Sequence, residues 1–342
     1  MLNRPTEPQH EHPKMAKKSA AKSAPETQWT GIRGEPWQPT FAGIPTFLKL
    51  PHSRDYASAD VVVSGVPFDN ATTNRPGCRF GPRGIRAASA GLAELNAFPW
   101  GFDILETLKV IDAGDCTLNH HLPNTLIDSI TGHARAILDA GATMLTLGGD
   151  HWIAYPLLKA HAEKYGPIAL IQFDSHCDTW PGLGDETGFD HGSMFLRAAK
   201  EGILDLDHSI QVGLRTTNDS AHGFEILNSP WLHRNGVDKT IEAIKARVGK
   251  AKAYISFDID FLDPAYAPGT GTPVAGGPAS WQALEILRGL GSLNLIGMDI
   301  VEVSPPYDHA EITSVAAATL AHDFLCLLAE KKGAKRRPLG KM

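Results

Sequence analysis

Residues 171–180, IQFDSHCDTW, carry three groups that bind metals or transfer protons on alternate positions: Asp174, His176 and Asp178. The apolar residues before them predict a β-strand, and side chains two positions apart on a strand point to the same face. The spacing therefore predicts that two carboxylates and one imidazole share a site. A single motif of this kind also occurs in surface loops, so metal binding needs support from other segments.

Comparable groups follow other apolar segments of the chain. His151 ends the segment GGDH, Asp258 and Asp260 lie in SFDIDFLDP, and Glu302 lies in DIVEVSPPYDH. In open parallel sheets, ligands collect beyond the carboxyl ends of the strands. We therefore expect these segments to converge on one site, with Asp150 of GGDH either structural or part of it.

The candidate metal ligands are four aspartates and two histidines: His151, Asp174, His176, Asp178, Asp258 and Asp260. Four carboxylates this close repel one another, and at least one would hold a proton unless cations compensate. Six side-chain ligands are too many for one transition metal and enough for two. Oxygen and imidazole ligands without a thiolate favour Mn²⁺ over zinc. Two such cations lower the pKa of a shared water towards ~7. With that hydroxide the cluster bears a net charge of −1, which favours a cationic substrate.

Short apolar runs alternate with amphipathic segments from about residue 57 onwards. We predict strands over 60–66, 107–115, 142–150, 167–174, 208–215, 252–260 and 293–303. Helical spacing of apolar residues predicts helices over 82–95, 125–140, 154–165, 239–248, 280–290 and 310–332. The alternation predicts one α/β domain over 41–332 with a parallel sheet between helices. A flexible N-terminal tail (1–40) and a basic C-terminal tail (333–342) flank it.

Composition excludes several classes of protein. The formal net charge of −6 over 342 residues argues against a nucleic-acid partner. No apolar run approaches the 18 or more residues of a membrane span, so we expect no membrane partner. Four scattered cysteines without a CxxC pair indicate a reducing, cytoplasmic setting.

The segments GGDH, DSHCD and SFDIDFLDPAYAPGTGTP resemble the signature segments of the ureohydrolase family, which includes arginases and agmatinases. The resemblance extends from residue 65 to residue 313. FPWGFD, FDHGSMF and EVSPPYDHAEIT are most similar to bacterial agmatinases. It implies a three-layer α/β/α fold around an eight-stranded parallel sheet, and a homo-trimer or homo-hexamer.

The resemblance also implies a role for each site residue in a binuclear manganese centre. His151 and Asp178 would bind one metal, His176 and Asp260 the other, and Asp174 and Asp258 would bridge them. His191 would act as the acid/base group, and Glu302 would pair with the guanidinium of the substrate. The implied reaction is hydrolysis of a guanidino compound to urea and an amine, in the first place agmatine to putrescine and urea.

Departures from the agmatinase pattern leave the substrate open. Asn74 and Cys78 in TTNRPGCRFGP stand where smaller residues are usual, DSHCDTW replaces the more frequent DAHxDT, and the stretch between Asp178 and His191 is a few residues longer than in some agmatinases. The alternatives to agmatine are guanidinobutyrate, guanidine, and a substituted guanidine or biguanide such as metformin. Family members that act on such compounds imply two further alternatives: Ni²⁺ as the metal and a paralogous subunit as a partner. A non-catalytic subunit would have lost a ligand or the acid/base histidine, whereas all are present. Amide deacetylation on the same general fold is disfavoured by the paired histidines and the GTGTP segment.

Overall fold

A computed structural model of the chain describes residues 38–93, 95–182, 189–337 and 340. Residues Pro39–Met342 form one compact unit. Apart from residues 38–40, the predicted N-terminal tail lies outside the described residues, as do four residues of the predicted C-terminal tail. The predicted domain limits at residues 41 and 332 stay predictions.

A parallel sheet forms the centre of the fold, as predicted. The described residues contain eight strands: β1 (Val61–Val66), β2 (Val110–Asp115), β3 (Thr143–Gly148), β4 (Ala169–Phe173), β5 (Ile210–Val212), β6 (Glu225–Leu227), β7 (Lys252–Asp258) and β8 (Asn294–Val301). All seven pairings are parallel, in the order β2-β1-β3-β8-β7-β4-β5-β6. The residue pattern did not predict β6, a three-residue edge strand.

Helices cover both faces of the sheet. In the described part of the chain they are α1 (Gly81–Ser89), α2 (Leu126–Asp139), α3 (Ala154–Tyr165), α4 (Met194–Lys200), α5 (Ser229–Val248), α6 (Ser280–Gly289) and α7 (Ile312–Lys331). Buried residues of α1, α5, α6 and α7 share one apolar core, and those of α2, α3 and α4 share another. The fold is therefore the predicted three-layer α/β/α sandwich.

The strands supply both cores through simple alternation. In β1, Val61 and Val63 belong to the core under α7, whereas Val62 and Val66 belong to the core under α3. Successive side chains of a strand point to opposite faces, so a strand covered on both sides is apolar throughout. This explains why the strand segments read as nearly unbroken apolar runs.

Two helices differ from the sequence prediction. The seven-residue helix α4 was not predicted, because so short a segment shows little helical periodicity. Helix α5 begins ten residues before the predicted start at 239, where Asn228 accepts a hydrogen bond from the Trp231 amide at the N-terminus. Gly236, with φ of +81°, interrupts the helix, and this break hides the first half from the periodic pattern.

Helix α7 corrects the expectation that no segment approaches the length of a membrane span. Among the described residues it alone is long and apolar enough to cross a membrane, judged by length and composition. Most of the helix is buried inside the fold, where Ala317, Leu320, Phe324 and Leu327 contribute to the core. Helix α7 is a core helix of the sandwich.

Candidate metal centre

The predicted site residues follow four strands that are neighbours in the sheet. His151 lies after β3, Glu302 after β8, Asp258 at the end of β7 and Asp174 directly after β4. The sheet order places β3, β8, β7 and β4 side by side. Because the strands are parallel, all four carboxyl ends meet at one edge, and the segments converge as predicted.

The geometry of the DSHCD segment differs from the prediction. Strand β4 ends at Phe173, so Asp174, His176 and Asp178 lie in a loop and do not alternate along a strand. Asp174 Oδ1 accepts a hydrogen bond from the His176 amide at 2.6 Å, and Asp178 has φ of +51°. This turn brings the three side chains together in place of strand alternation.

One group of potential metal ligands surrounds the Nδ1 atom of His151. Carboxylate oxygens of Asp178, Asp174 and Asp258 lie 2.8, 3.0 and 3.2 Å from it. All four side chains are buried. Nδ1 can carry only one proton, whereas three acidic oxygens face it. A shared cation can be bound by Nδ1 and by all three carboxylate oxygens at once, so these residues fit a metal site.

The second group consists of Asp174, His176 and Asp260. His176 Nδ1 lies 3.0 Å from Asp260 Oδ2 and 3.5 Å from Asp174 Oδ1. Asp174 thus presents Oδ2 to the first group and Oδ1 to the second. Asp258 connects the groups differently, since its Oδ1 accepts a hydrogen bond from the Asp260 amide while its Oδ2 faces His151.

A buried chain of hydrogen bonds holds His151 in place. Its Nε2 atom lies 2.9 Å from Ser256 Oγ, and the Ser256 hydroxyl donates to Asp299 Oδ1 at 2.7 Å. Tyr254 donates to the other oxygen of Asp299 at 3.0 Å. Because the Ser256 proton is committed to Asp299, Nε2 of His151 is the donor to Ser256. Its Nδ1 lone pair therefore points at the carboxylates, as metal binding requires.

Strand residues support Asp174 in a similar way. Gln172 Nε2 donates to Asp174 Oδ2 at 2.8 Å, and Gln211 Nε2 donates to Gln172 Oε1 at 2.6 Å. Sequence reasoning missed these residues and the Ser256–Asp299 pair. Each of them is a polar side chain inside an apolar strand. Since a buried polar group needs a hydrogen-bond partner, this pattern could have indicated that they support the site.

Asp260 is held by its neighbours and by Arg215. Its Oδ1 accepts hydrogen bonds from the Ser175 amide and hydroxyl at 3.0 and 2.8 Å. The Arg215 guanidinium donates to the backbone carbonyls of Asp260, Phe261, Leu262 and Val274. Sequence reasoning also missed Arg215, whose partners are carbonyl groups that no side-chain pattern reveals.

Burial and neighbouring charges shift the pKa values of the cluster. Burial disfavours protonated His176, yet Asp260 and Asp174 raise its pKa to about 12. Burial and the charge of Asp174 raise the pKa of Asp178 to about 7. Burial opposes ionisation of Asp174, but hydrogen bonds with His151 and His176 hold its pKa below the usual range. Without cations the cluster retains protons, and cation binding must release them.

His191 and Glu302 form a buried pair beside the ligand groups. His191 Nδ1 lies 2.8 Å from Glu302 Oε1, which also accepts a hydrogen bond from the His151 amide at 2.8 Å. Thr73 faces His191 Nε2 with its hydroxyl at 3.0 Å and its amide at 3.2 Å, so the amide can donate to Nε2 of the neutral ring and the hydroxyl can accept from Nε2–H of the charged ring. Burial lowers the pKa of His191, but the charge of Glu302 outweighs it and raises that pKa to about 9.

The second oxygen of Glu302 has a weaker partner. The Cys78 thiol lies 3.1 Å from Oε2, and a thiol is a weak hydrogen-bond donor. Burial opposes ionisation of Glu302, but His191 lowers its pKa below the usual value. Glu302 is thus a buried carboxylate with one oxygen fully engaged and the other able to accept a stronger donor.

A cavity of about 250 Å³ opens onto the cluster. Its walls include Thr73, His176, Asp178, Trp180, Asp190 and His191. None of the described residues that line it is a lysine or an arginine. The cavity suits a small cation and offers no counter-charge to a carboxylate.

Three neighbouring residues belong to neither ligand group. Asp150 accepts hydrogen bonds from the Ala71 and Trp152 amides. Asp263 accepts them from backbone amides at Ala265 and Gly276 and so shapes the turn. Cys177 is buried and belongs to neither ligand group.

Comparison with known proteins places this arrangement in a family. The sequence profile described as "Arginase family" matches residues 59–326. The agmatinase of Chromobacterium violaceum is 54% identical over 303 residues, which cover 88% of this chain and 94% of that protein.

Solved structures agree. A hypothetical agmatinase from Burkholderia thailandensis is 55% identical, with a TM-score of 0.85 over 86% of this chain and 93% of that one. The proclavaminate amidino hydrolase of Streptomyces clavuligerus is 39% identical, with a TM-score of 0.82 over 85% of this chain and 99% of that one.

Proposed function

The chain belongs to the arginase family, and on that premise we propose that it hydrolyses agmatine to putrescine and urea. It is a ureohydrolase that acts on a guanidino compound. One observation supports the proposal most directly: two groups of aspartates and histidines, buried except for the half-buried His176, share Asp174 beside a cavity without lysine or arginine in its described lining.

Enzymes of this family depend on two metal ions, and we propose Mn²⁺ for both, with Ni²⁺ as the alternative. His151 and Asp178 would hold one ion, His176 and Asp260 the other, and Asp174 and Asp258 would lie between them. Two divalent cations at these positions supply Lewis acidity and lower the pKa of water, which provides the nucleophile. The oxygen-rich ligand set agrees with manganese.

Glu302 would orient the substrate. Its Oε1 is engaged by His191 and by the His151 amide, whereas Oε2 has only the Cys78 thiol. A guanidinium N–H is a far stronger donor than a thiol. Oε2 is therefore the atom that would hold the planar guanidinium in line for attack, an effect of orientation.

His191 would transfer the proton. Glu302 fixes its orientation through Nδ1, and Nε2 faces Thr73, which also lines the cavity. Glu302 raises the pKa of His191 to about 9, so the ring holds a proton at neutral pH and can give it to the leaving amine. The products would leave as urea and a primary amine.

Two of the departures from the agmatinase pattern lie near Glu302: Cys78 contacts Glu302 Oε2, and Asn74 donates to the Gly271 carbonyl at 3.3 Å. The stretch between Asp178 and His191, another departure, includes the cavity-lining residues Trp180 and Asp190. The 54% identity with an agmatinase nevertheless leads us to place agmatine before guanidinobutyrate, guanidine and metformin. We further propose a cytoplasmic homo-trimer or homo-hexamer, with a hetero-oligomer that includes a paralogous subunit as the alternative, and we expect no nucleic-acid or membrane partner.

The test is urea release by the purified protein, loaded separately with Mn²⁺ and Ni²⁺. Agmatine, arginine, 4-guanidinobutyrate, guanidine and metformin serve as substrates, and we expect agmatine to be used best. Urea from none of them would refute the ureohydrolase assignment. Efficient release from another substrate but not from agmatine would refute the agmatinase proposal alone.

A further inference from the structure

We propose that Asp190 and Trp180 form a subsite for the terminal ammonium group of the substrate. This inference rests on the proposed function and concerns the end of the substrate remote from the guanidinium. Both residues line the cavity that opens onto the ligand groups. Asp190 itself belongs to neither ligand group.

Asp190 has one carboxylate oxygen available for a ligand. Its Oδ1 accepts a hydrogen bond from the Gly192 amide at 2.8 Å, which fixes the side chain. Among the residues that the structure describes, no group donates to Oδ2 and no cationic side chain pairs with Asp190. Cations bound in the cluster would compensate Asp178 and Asp258. Among the described residues of the cavity wall, Asp190 would then be the carboxylate without a compensating charge.

Trp180 lies next to this carboxylate and is fixed as well. Its amide donates to the Gly192 carbonyl at 3.0 Å, and its indole N–H donates to the Thr217 carbonyl at 3.1 Å. A Cβ atom added at Gly192 would lie 3.2 Å from Trp180 Cε3 and 3.4 Å from Asp190 Oδ1. The aromatic ring and the carboxylate therefore both lie against Gly192, where a larger residue would crowd the ring.

A carboxylate beside an aromatic ring suits an ammonium ion. The carboxylate supplies a charge-assisted hydrogen bond, and the ring attracts a cation to its face. The apolar part of the indole also suits a methylene chain. A substrate with a carboxylate at this end would instead face Asp190 without any described lysine or arginine in the wall. The subsite therefore selects guanidino compounds with a second positive charge.

The substitution Asp190→Asn tests the charge alone, since the amide oxygen can still accept the Gly192 hydrogen bond. The measurement is the ratio of kcat/KM for agmatine to kcat/KM for butylguanidine, which lacks the ammonium group. Asp190→Asn should lower this ratio roughly 10- to 100-fold, as expected for loss of a charge-assisted hydrogen bond. Asp103→Asn is the matched control. Asp103 also accepts a hydrogen bond, at 3.0 Å, from the amide two positions later in the chain, and it does not line the cavity.

The outcomes separate the two proposals. A ratio that is the same in the wild type and in Asp190→Asn would overturn the subsite, even where agmatine is hydrolysed. Absence of agmatine hydrolysis by the wild type would overturn the proposed function instead. In that case calorimetric titration with putrescine still tests the subsite. Weaker putrescine binding by Asp190→Asn than by the wild type supports it, and equal affinities overturn it.

Discussion

The substitution Ser256→Ala should weaken metal binding at His151 without touching any ligand. In the wild type the buried Nε2–H of His151 donates to Ser256 Oγ at 2.9 Å, and Ser256 donates to Asp299 at 2.7 Å. Alanine removes the acceptor of Nε2–H and the donor to Asp299 together. The ring then loses the contact that keeps its Nδ1 lone pair aimed at the carboxylates.

The size of the effect follows from the burial of these groups. Leaving a buried donor without an acceptor costs about 1–3 kcal/mol. Partners of metal-binding histidines typically contribute 10- to 100-fold to metal affinity, which corresponds to about 1.4–2.7 kcal/mol. The two estimates agree, so we expect Mn²⁺ to bind 10- to 100-fold more weakly at the His151 position.

Calorimetric titration of the metal-depleted protein with Mn²⁺ measures this loss. Ser209→Ala is a matched control, since Ser209 is equally buried and also has two hydrogen bonds, with the Leu170 amide and the Asp205 carbonyl. Ser256→Thr retains the hydroxyl and should recover much of the affinity. If Ser256→Ala bound Mn²⁺ as tightly as Ser209→Ala, the proposed role of the Ser256–Asp299 pair would be wrong.

Three further predictions concern cations, His191 and buried histidines. Added Mn²⁺ should raise the melting temperature of the metal-depleted protein. At an Mn²⁺ concentration of 100 times the dissociation constant, the free energy of unfolding should rise by about 2.7 kcal/mol. At a fixed Mn²⁺ concentration, the rise in melting temperature should be larger at pH 8 than at pH 6, because Asp178 has a pKa of about 7 and must lose its proton for the metal to bind. Calorimetric scans in which the melting temperature does not depend on Mn²⁺ would contradict this prediction. Glu302→Gln should lower the pKa of His191 from about 9, since burial opposes the charged ring and Glu302 is the largest influence that raises this pKa, ahead of Asp178 and Asp150. Histidine-labelled NMR titration measures that pKa, and an unchanged value would show that Glu302 does not control it. Burial lowers the pKa of His161 from 6.5 to about 4, so its contribution to stability is present above pH 6.5 and is lost as the pH falls towards 4. We expect the free energy of unfolding to fall by about 3 kcal/mol through this group. In urea unfolding between pH 6.5 and pH 4, the free energy of unfolding should decline less steeply with pH for His161→Gln than for the wild type. Equal slopes would refute the assignment to His161.

The sequence predicted the parallel sheet because its strands are buried on both faces and read as apolar runs. It also predicted that charged and imidazole side chains from separate segments meet at one edge of the sheet, and the structure brings them together there. The strand ends were placed too late, since Asp174 and Asp260 were counted as strand residues. Periodicity cannot show where pairing stops: Asp174 folds back onto the His176 amide, and Asp260 lies in the turn Ile259–Phe261.

The supporting residues were beyond sequence reasoning for a different reason. Ser256 and Asp299 are adjacent only because β7 pairs with β8, which follows it after a helix, and their register places them side by side. Gln172 and Gln211 are likewise brought together by the pairing of β4 with β5. One sequence does not give the register between distant strands. Residues that depend on register therefore emerge only from the structure.

The order of the sheet explains why the centre can combine rigid ligands with an adaptable substrate end. The candidate ligands follow the strands β3, β7 and β4, Glu302 follows β8 between β3 and β7, and His151, Asp174 and Asp260 each have buried partners that fix their positions. Asp190 and Trp180 instead lie in the long connection between β4 and α4, held mainly by backbone contacts around Gly192. Asp174, His176 and Asp178 lie in the same connection, and the rings of His176 and Trp180 are in contact. Under the proposed function, this one connection would therefore carry both metal ligands and the substrate subsite.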